Sequence, residues 1–201
     1  MKHAITNLSR TFLAVLLFAT FGPVNAQQET FTRTDAMISM RDGVRLNTHV
    51  YTPVSTTEKF PILLLRTPYG IGNLSSAQLA AALPELAADG YIVVQQDIRG
   101  RFKSEGQFVM LRQPRDPKDK TAIDESTDTY DTIEWLLKNV SNNNGRAGIA
   151  GTSYGAWLAV MAMLDPHPAL KAVVQQASPA DMWIGDDFHH NGAFRLSYGF
   201  E

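Results

Sequence analysis

Four short strand-like runs, Pro61 to Leu65 (PILLL), Tyr91 to Gln95 (YIVVQ), Arg146 to Ala150 (RAGIA) and Leu170 to Gln175 (LKAVVQ), recur along this chain with helix-forming stretches between them. A continuously apolar run of this length, such as PILLL or YIVVQ, suits a strand buried on both faces. Between them lie Ser75 to Ala88, rich in Ala and Leu and stopped by Asp89-Gly90, and Glu125 to Asn139. In the latter, Tyr130, Ile133, Leu136, Leu137 and Val140 recur at helical spacing before Asn142 to Gly145 ends it. Tyr154 to Leu164 reads as a third helix. This alternation calls for a mostly parallel sheet with helices on both faces. Ahead of it, Asp35 to Pro53 reads as two strands joined at Arg41-Asp42-Gly43, a hairpin turn signal, so the sheet starts antiparallel. Residues 102–124 are polar, carry Pro114 and Pro117, and read as a long surface loop. From Asp181 the pattern changes: no strand is expected, and the chain reaches Glu201 in what reads as a helix.

Composition narrows the chemistry. The 201 residues contain no cysteine, which removes disulfides, Cys nucleophiles and Cys-based zinc sites. The net charge of −2, without a basic run, argues against a nucleic-acid surface. Only 5 histidines are available for His-dependent chemistry. The first 26 residues read as an address: Lys2 and Arg10 precede an apolar stretch from Thr11 to Phe21, Gly22-Pro23 breaks it, and Val24-Asn25-Ala26 is a small-x-small cleavage site. The stretch is about half the roughly 20 residues needed to span a bilayer. Cleavage after Ala26 is expected, leaving a periplasmic or secreted protein with no membrane segment.

Gly151-Thr152-Ser153-Tyr154-Gly155 fits G-x-S-x-G between a strand and a helix, the context of a nucleophile elbow. Such a turn needs small residues two before and two after the serine. It strains the serine backbone and exposes its hydroxyl. The Tyr154 N–H then opens the helix, where it can donate to an oxyanion. A glycine-flanked serine in an ordinary turn is the bland alternative.

The elbow, preceded by Asn144-Gly-Arg-Ala-Gly-Ile-Ala, resembles the serine hydrolases of the Xaa-Pro dipeptidyl-peptidase and cocaine-esterase group. Asp97-Ile-Arg-Gly-Arg-Phe-Lys-Ser-Glu-Gly and Asp131-Thr-Ile-Glu-Trp-Leu resemble the segments of that group upstream of the serine. Asp165-Pro-His-Pro-Ala-Leu-Lys, Trp183-Ile-Gly-Asp-Asp-Phe and Gly192-Ala-Phe-Arg are similar to one branch, the α-amino-acid ester hydrolases, whose relatives include glutaryl-cephalosporin acylases. Ala156 departs from the glycine of many relatives, with little consequence expected while Gly155 stays small. The resemblance implies the N-terminal part of an α/β-hydrolase fold over 27–180, followed over 181–201 by the start of a helical cap. It implies Ser153 as acyl-accepting nucleophile, the Tyr154 backbone N–H and the Tyr69 hydroxyl as oxyanion donors, and Asp187 as a contact to a substrate α-ammonium. It implies a small-molecule ester or amide substrate, with α-amino acids favoured over glutaryl, simple acyl or Xaa-Pro groups, and no cofactor or metal. Homo-oligomerisation of the full-length form is left open.

Other residues carry bland readings. Tyr69 could simply cover the core, and Asp186 or Asp187 could cap a helix. Asp97, Arg99 and Glu105 are expected to form one structural ion-pair network. Asp124, Glu125, Asp128 and Asp131 lack calcium-loop spacing and suit a helix N-terminus. His49 and His167 are expected to be structural, and His189-His190 point too far apart to serve one ion. Trp157, Met161 and Met163 read as core. A triad of Ser153, Asp187 and His190 is rejected, because its acid and base lie about one turn apart on a single element. The resemblance implies that the acid and histidine come later than Glu201, and the chain by itself is expected to be inactive.

Overall fold

A computed structural model describes residues 30–54, 57–119, 121–185 and 188–196. Strand β1 (Phe31–Ser39) and strand β2 (Arg45–Pro53) form the expected hairpin, which begins earlier than Asp35. Its turn is closed by the Gly43 N–H donating to Met40 O, with Gly43 at φ +85°. Then follow β3 (Phe60–Thr67), α1 (Ser76–Ala82), α2 (Pro84–Asp89), β4 (Ile92–Asp97), α3 (Glu125–Asn139), β5 (Asn143–Thr152), α4 (Tyr154–Met161) and β6 (Leu170–Gln176). The six strands make one sheet in the order β1-β2-β4-β3-β5-β6. β2 meets β1 and β4 antiparallel, and the pairs β3–β4, β3–β5 and β5–β6 are parallel. This is the α/β-hydrolase arrangement. Among the described residues no helix is long and apolar enough to cross a membrane.

Three expectations are corrected. The helix expected over Ser75 to Ala88 is two helices, because Pro84 lacks an N–H and cannot continue α1 but suits the first position of α2. Ser75 caps α1 through a capping box with Gln78. β3 is not equally buried on both faces: Phe60, Ile62, Leu64 and Arg66 are buried, whereas the intervening residues are half-buried. β4 does bury both faces apart from Gln95. Finally, where no strand was expected after Asp181, a small hairpin of β7 (His189–His190) and β8 (Ala193–Phe194) forms; the helix expected toward Glu201 falls largely outside the described residues. The turn residues Asn191 and Gly192 at φ +49° and +81° make that reversal possible, and the Trp183 carbonyl accepts from the Gly192 N–H.

The larger core layer lies between the sheet and α3–α4, where Ile62, Leu64, Val94, Ile133, Leu136 and Ile149 are at or near zero exposure. Phe31, Tyr51, Leu79 and Val93 form the smaller layer under α1. Met161 joins the core as expected, but Trp157 is half-buried and Met163 is 49% exposed.

The first turns of α3 are both polar and buried. Asp124 caps the helix, accepting from the Thr127 N–H and also from the Arg115 N–H. Burial opposes the Asp124 charge, but these bonds and one from the Ser126 hydroxyl outweigh it and hold its carboxyl below the ordinary carboxylate value. Asp128 receives the Arg99 Nε and Nη2 at 3.0 and 2.7 Å, and Arg99 reaches on to Asp42. Arg66 donates to the Glu125 carbonyl at 3.1 Å and to Thr129 Oγ1 at 2.9 Å. Asp131 pairs with Arg41 nearer the surface. The acids of this helix thus serve as partners of particular arginines rather than of the helix dipole alone. The expected network of Asp97, Arg99 and Glu105 is replaced by separate contacts, since Glu105 pairs with Arg45 and Asp97 makes no ion pair among the described residues. Sequence spacing could not show that α3 delivers its acids to the strand ends.

Replacing Asp128 by Ala should strand the buried Arg99 charge and cost about 3–5 kcal/mol in urea unfolding of the full natural chain. Asp131→Ala removes a more exposed partner and should cost under about 1 kcal/mol.

Candidate active site

The elbow is built by β5 running into α4. Ser153 stands between them at φ +57°, ψ −123°, a strained conformation for a residue with a side chain. Its N–H is fixed by the Gln176 carbonyl at 2.9 Å, which ties the turn to the end of β6. Gly151 is obligatory: a Cβ there would lie 2.1 Å from the Gly155 carbonyl oxygen. Gly155 is less constrained than expected, because its Cβ would approach the Arg66 carbonyl at 3.4 Å, close to ordinary contact. The Ser153 side chain is exposed and makes no capping bond to α4. The Tyr154 N–H, in the first turn of that helix, has no intrahelical acceptor by construction.

Ser153 lies in a cleft of about 320 Å³ with Tyr154, Tyr69, Arg101, Phe108 and Leu111 on its walls. Pro179, Met182 and Phe188 close another side. The structure therefore brings together Ser153, Tyr154 and Tyr69, although Tyr69 lies far from the elbow in the sequence. Tyr69 is 66% exposed, so covering the core is not its role. Asp187 lies outside the described residues, as does Asp186, although its chain neighbour Phe188 lines the cleft.

The loop carrying Tyr69 is held from below. Asp97, at the end of β4, accepts from the Ile71 N–H at 2.9 Å and from Asn47 Nδ2 at 2.8 Å. The Ser104 hydroxyl donates to the Asp97 carbonyl and accepts from the Asn47 N–H. Arg101 Nε donates to the Pro68 carbonyl at 2.8 Å. Sequence reasoning missed the positioning role of Asp97. Its signal is an acid at the C-terminal end of a buried strand, where ligand-side loops of parallel sheets begin.

Tyr154 has a second task. Its hydroxyl accepts from the Leu111 N–H at 2.8 Å and so ties the wall bearing Phe108, Met110 and Leu111 to the elbow. Burial pushes its phenol up, so it stays neutral near pH 7. Its ring meets Trp157 edge-on at 5.3 Å.

The histidines are placed elsewhere. His167 bonds Glu134 at 2.9 Å and receives the Ala169 N–H on Nδ1. His49 is buried on β2 beside Arg33, and that burial pushes its imidazole down. His189 Nδ1 lies 2.9 Å from the Met182 carbonyl, and the His190 backbone pairs with Ala193. Among the described residues no imidazole bonds Ser153.

Hydrogen bonds to a charged acceptor contribute about 1.5–3 kcal/mol. Asp97→Ala should therefore speed hydrogen exchange at the Ile71 amide by about tenfold or more. Asp97→Asn should leave it nearly unchanged, since the amide oxygen can still accept.

Known proteins are similar to this chain in sequence and fold. Residues 42–201 match the model of the X-Pro dipeptidyl-peptidase (S15) family. The chain is 33% identical over 165 residues to cocaine esterase of Rhodococcus sp. (strain MB1 Bresler), covering 81% of this chain and 26% of the esterase. An α-amino acid ester hydrolase structure superposes with a TM-score of 0.76 at 39% identity, over 92% of this chain and 32% of that one. An aminopeptidase from a marine sediment Thaumarchaeota archaeon gives 0.75 at 39% identity, over 96% and 31%. The chain thus spans a third or less of the length of these relatives. The family match over 42–201 places the chain in the X-Pro dipeptidyl-peptidase (S15) family of hydrolases.

Proposed function

We propose that this protein is an exported serine acyl hydrolase or acyltransferase that forms an acyl-enzyme on Ser153, acting on esters or amides of α-amino acids, including β-lactam side chains. The observation that carries the reading is the strained, exposed Ser153 at the head of α4, sharing one cleft with Tyr69. In this mechanism the Ser153 hydroxyl attacks the substrate carbonyl while a general base takes its proton. The oxyanion accepts from the Tyr154 N–H and the Tyr69 hydroxyl. Collapse expels the alcohol or amine, which takes up that proton, and water or an acceptor amine then releases the acyl group. The imidazole and its carboxylate partner come from outside the described residues.

The α-amino acyl group is supported by two relatives at 39% identity, one named for esters of α-amino acids and the other an aminopeptidase. Asp187 is assigned to the α-ammonium, since a carboxylate in a partly dry pocket attracts a cation strongly. Export follows from the leader, with cleavage after Ala26 giving a periplasmic or secreted protein.

The full natural chain should take up a fluorophosphonate on Ser153, read by intact mass, and Ser153→Ala should take up none. Labelling elsewhere, or equal labelling of the variant, would remove Ser153 from the reaction. Tyr69→Phe should lower kcat by about 10²–10³ if its hydroxyl is an oxyanion donor. An α-amino ester should be turned over much faster than its des-amino analogue, and Asp187→Asn should collapse that preference. Equal rates would overturn the α-amino specificity and turn attention to glutaryl, simple acyl or Xaa-Pro substrates.

A further inference from the structure

Six arginines of this chain, Arg33, Arg41, Arg45, Arg66, Arg99 and Arg115, each meet a carboxylate. Arg101 does not. It is half-buried, it lines the cleft with Ser153 and Tyr69, and no carboxylate pairs with it among the described residues. Its Nε is engaged by the Pro68 carbonyl at 2.8 Å, which fixes the plane of the guanidinium. Its central carbon stands 5.3 Å from the Phe102 ring and 5.1 Å from the Phe108 ring. Those rings lie within cation–π distance of the guanidinium, but they do not neutralise it. Both Nη groups, with their four N–H donors, have no acceptor among the described residues.

A guanidinium stays charged at any working pH, and partly desolvating it without an anion is unfavourable. Of the other described arginines that are at least half-buried, Arg33, Arg66, Arg99 and Arg115 find an acid, while Arg112 donates to the Gln107 carbonyl. An oriented fork whose inner nitrogen is already used and whose outer nitrogens are open matches one planar anion. We infer that Arg101 is a specificity residue that binds a free carboxylate of the substrate, set apart from the scissile carbonyl. A monoanion balances the single cation, whereas a phosphate dianion would leave charge unpaired in a largely apolar cleft. This inference rests on Ser153 being the reacting group of the same cleft. The carboxylate could belong to the leaving group or to the acyl chain, and the two require different substrates.

Two substrate pairs separate them, assayed with the full natural chain. For the leaving group, the anilides of alanine with 4-aminobenzoate and with methyl 4-aminobenzoate are compared. For the acyl chain, the 4-nitroanilides of glutaric acid and of its monomethyl ester are compared. In one pair the carboxylate member should be favoured, and Arg101→Gln should reduce that preference in kcat/KM by about tenfold or more, mainly through KM. Arg101→Lys should keep part of the preference, and added salt should narrow it in the wild type. Equal losses for both members of each pair would mean that Arg101 acts only by holding Pro68, and would overturn the inference. So would unchanged ratios in both pairs. Direct calorimetric binding of benzoate against benzamide tests the same contact without turnover. The wild type should prefer benzoate and Arg101→Gln should not, and a wild type with no such preference overturns the inference even if the variant fails to fold. Fluorophosphonate labelling on the same preparations separates the two failures. Labelled Ser153 with flat ratios removes only the Arg101 assignment, whereas unlabelled Ser153 removes the hydrolase reading.

Discussion

Everything near the cleft is hung on charges buried beneath it. Arg66 closes β3 just before the Tyr69 loop, and Arg99 follows β4 just before the loop with Arg101 and Phe108. Both reach down to the first turns of α3, where Glu125 and Asp128 are nearly inaccessible. Such pairs contribute little net stability, because desolvating both ions cancels much of their attraction. Their effect is geometric. A buried arginine has no alternative partner at comparable cost, so the ends of β3 and β4 have one position relative to α3.

The compensation is not uniform. Arg99 holds Asp128 and Asp42 through well-directed bonds, and these keep its guanidinium firmly charged against the effect of burial. Glu125 Oε2 lies 3.0 Å from Arg66 Nη1 but makes no directed hydrogen bond, and Arg66 Nη2 likewise lacks one. Burial accordingly pushes the Glu125 carboxyl up, with the neighbouring Arg66 opposing that shift. The looser pair sits behind the elbow, where the Arg66 carbonyl faces Gly155. The tighter pair anchors the loop side of the cleft.

The elbow itself stores backbone strain that its surroundings enforce. The Gly151–Gly155 approach leaves no room for a side chain, and the Gln176 bond fixes the Ser153 N–H. An exposed hydroxyl on a strained turn, beside a loop pinned by Asp97, is a preorganised arrangement rather than one assembled on demand. Tyr154 ties the elbow to the apolar wall through the bond from the Leu111 N–H.

Local chemistry wrote much of this into the sequence. Apolar runs and helical spacing set the strand–helix alternation, Asp42-Gly43 set the hairpin, and G-x-S-x-G between strand and helix marked the elbow, because each depends on neighbouring residues alone. The break at Pro84 is equally local, but the Ala/Leu composition around it masks it. Tertiary structure decided what depends on distant partners: that α3 supplies acids to Arg66 and Arg99, that Asp97 takes the Ile71 N–H, and that residues 188–194 form a hairpin. Tyr69 and Ser153 meet in one cleft only because β3 and β5 are adjacent in the sheet, so both loops leave from the same edge. A charge shows its type in the sequence, but the partner that neutralises it, or the absence of one at Arg101 among the described residues, is fixed only when the strands are laid side by side.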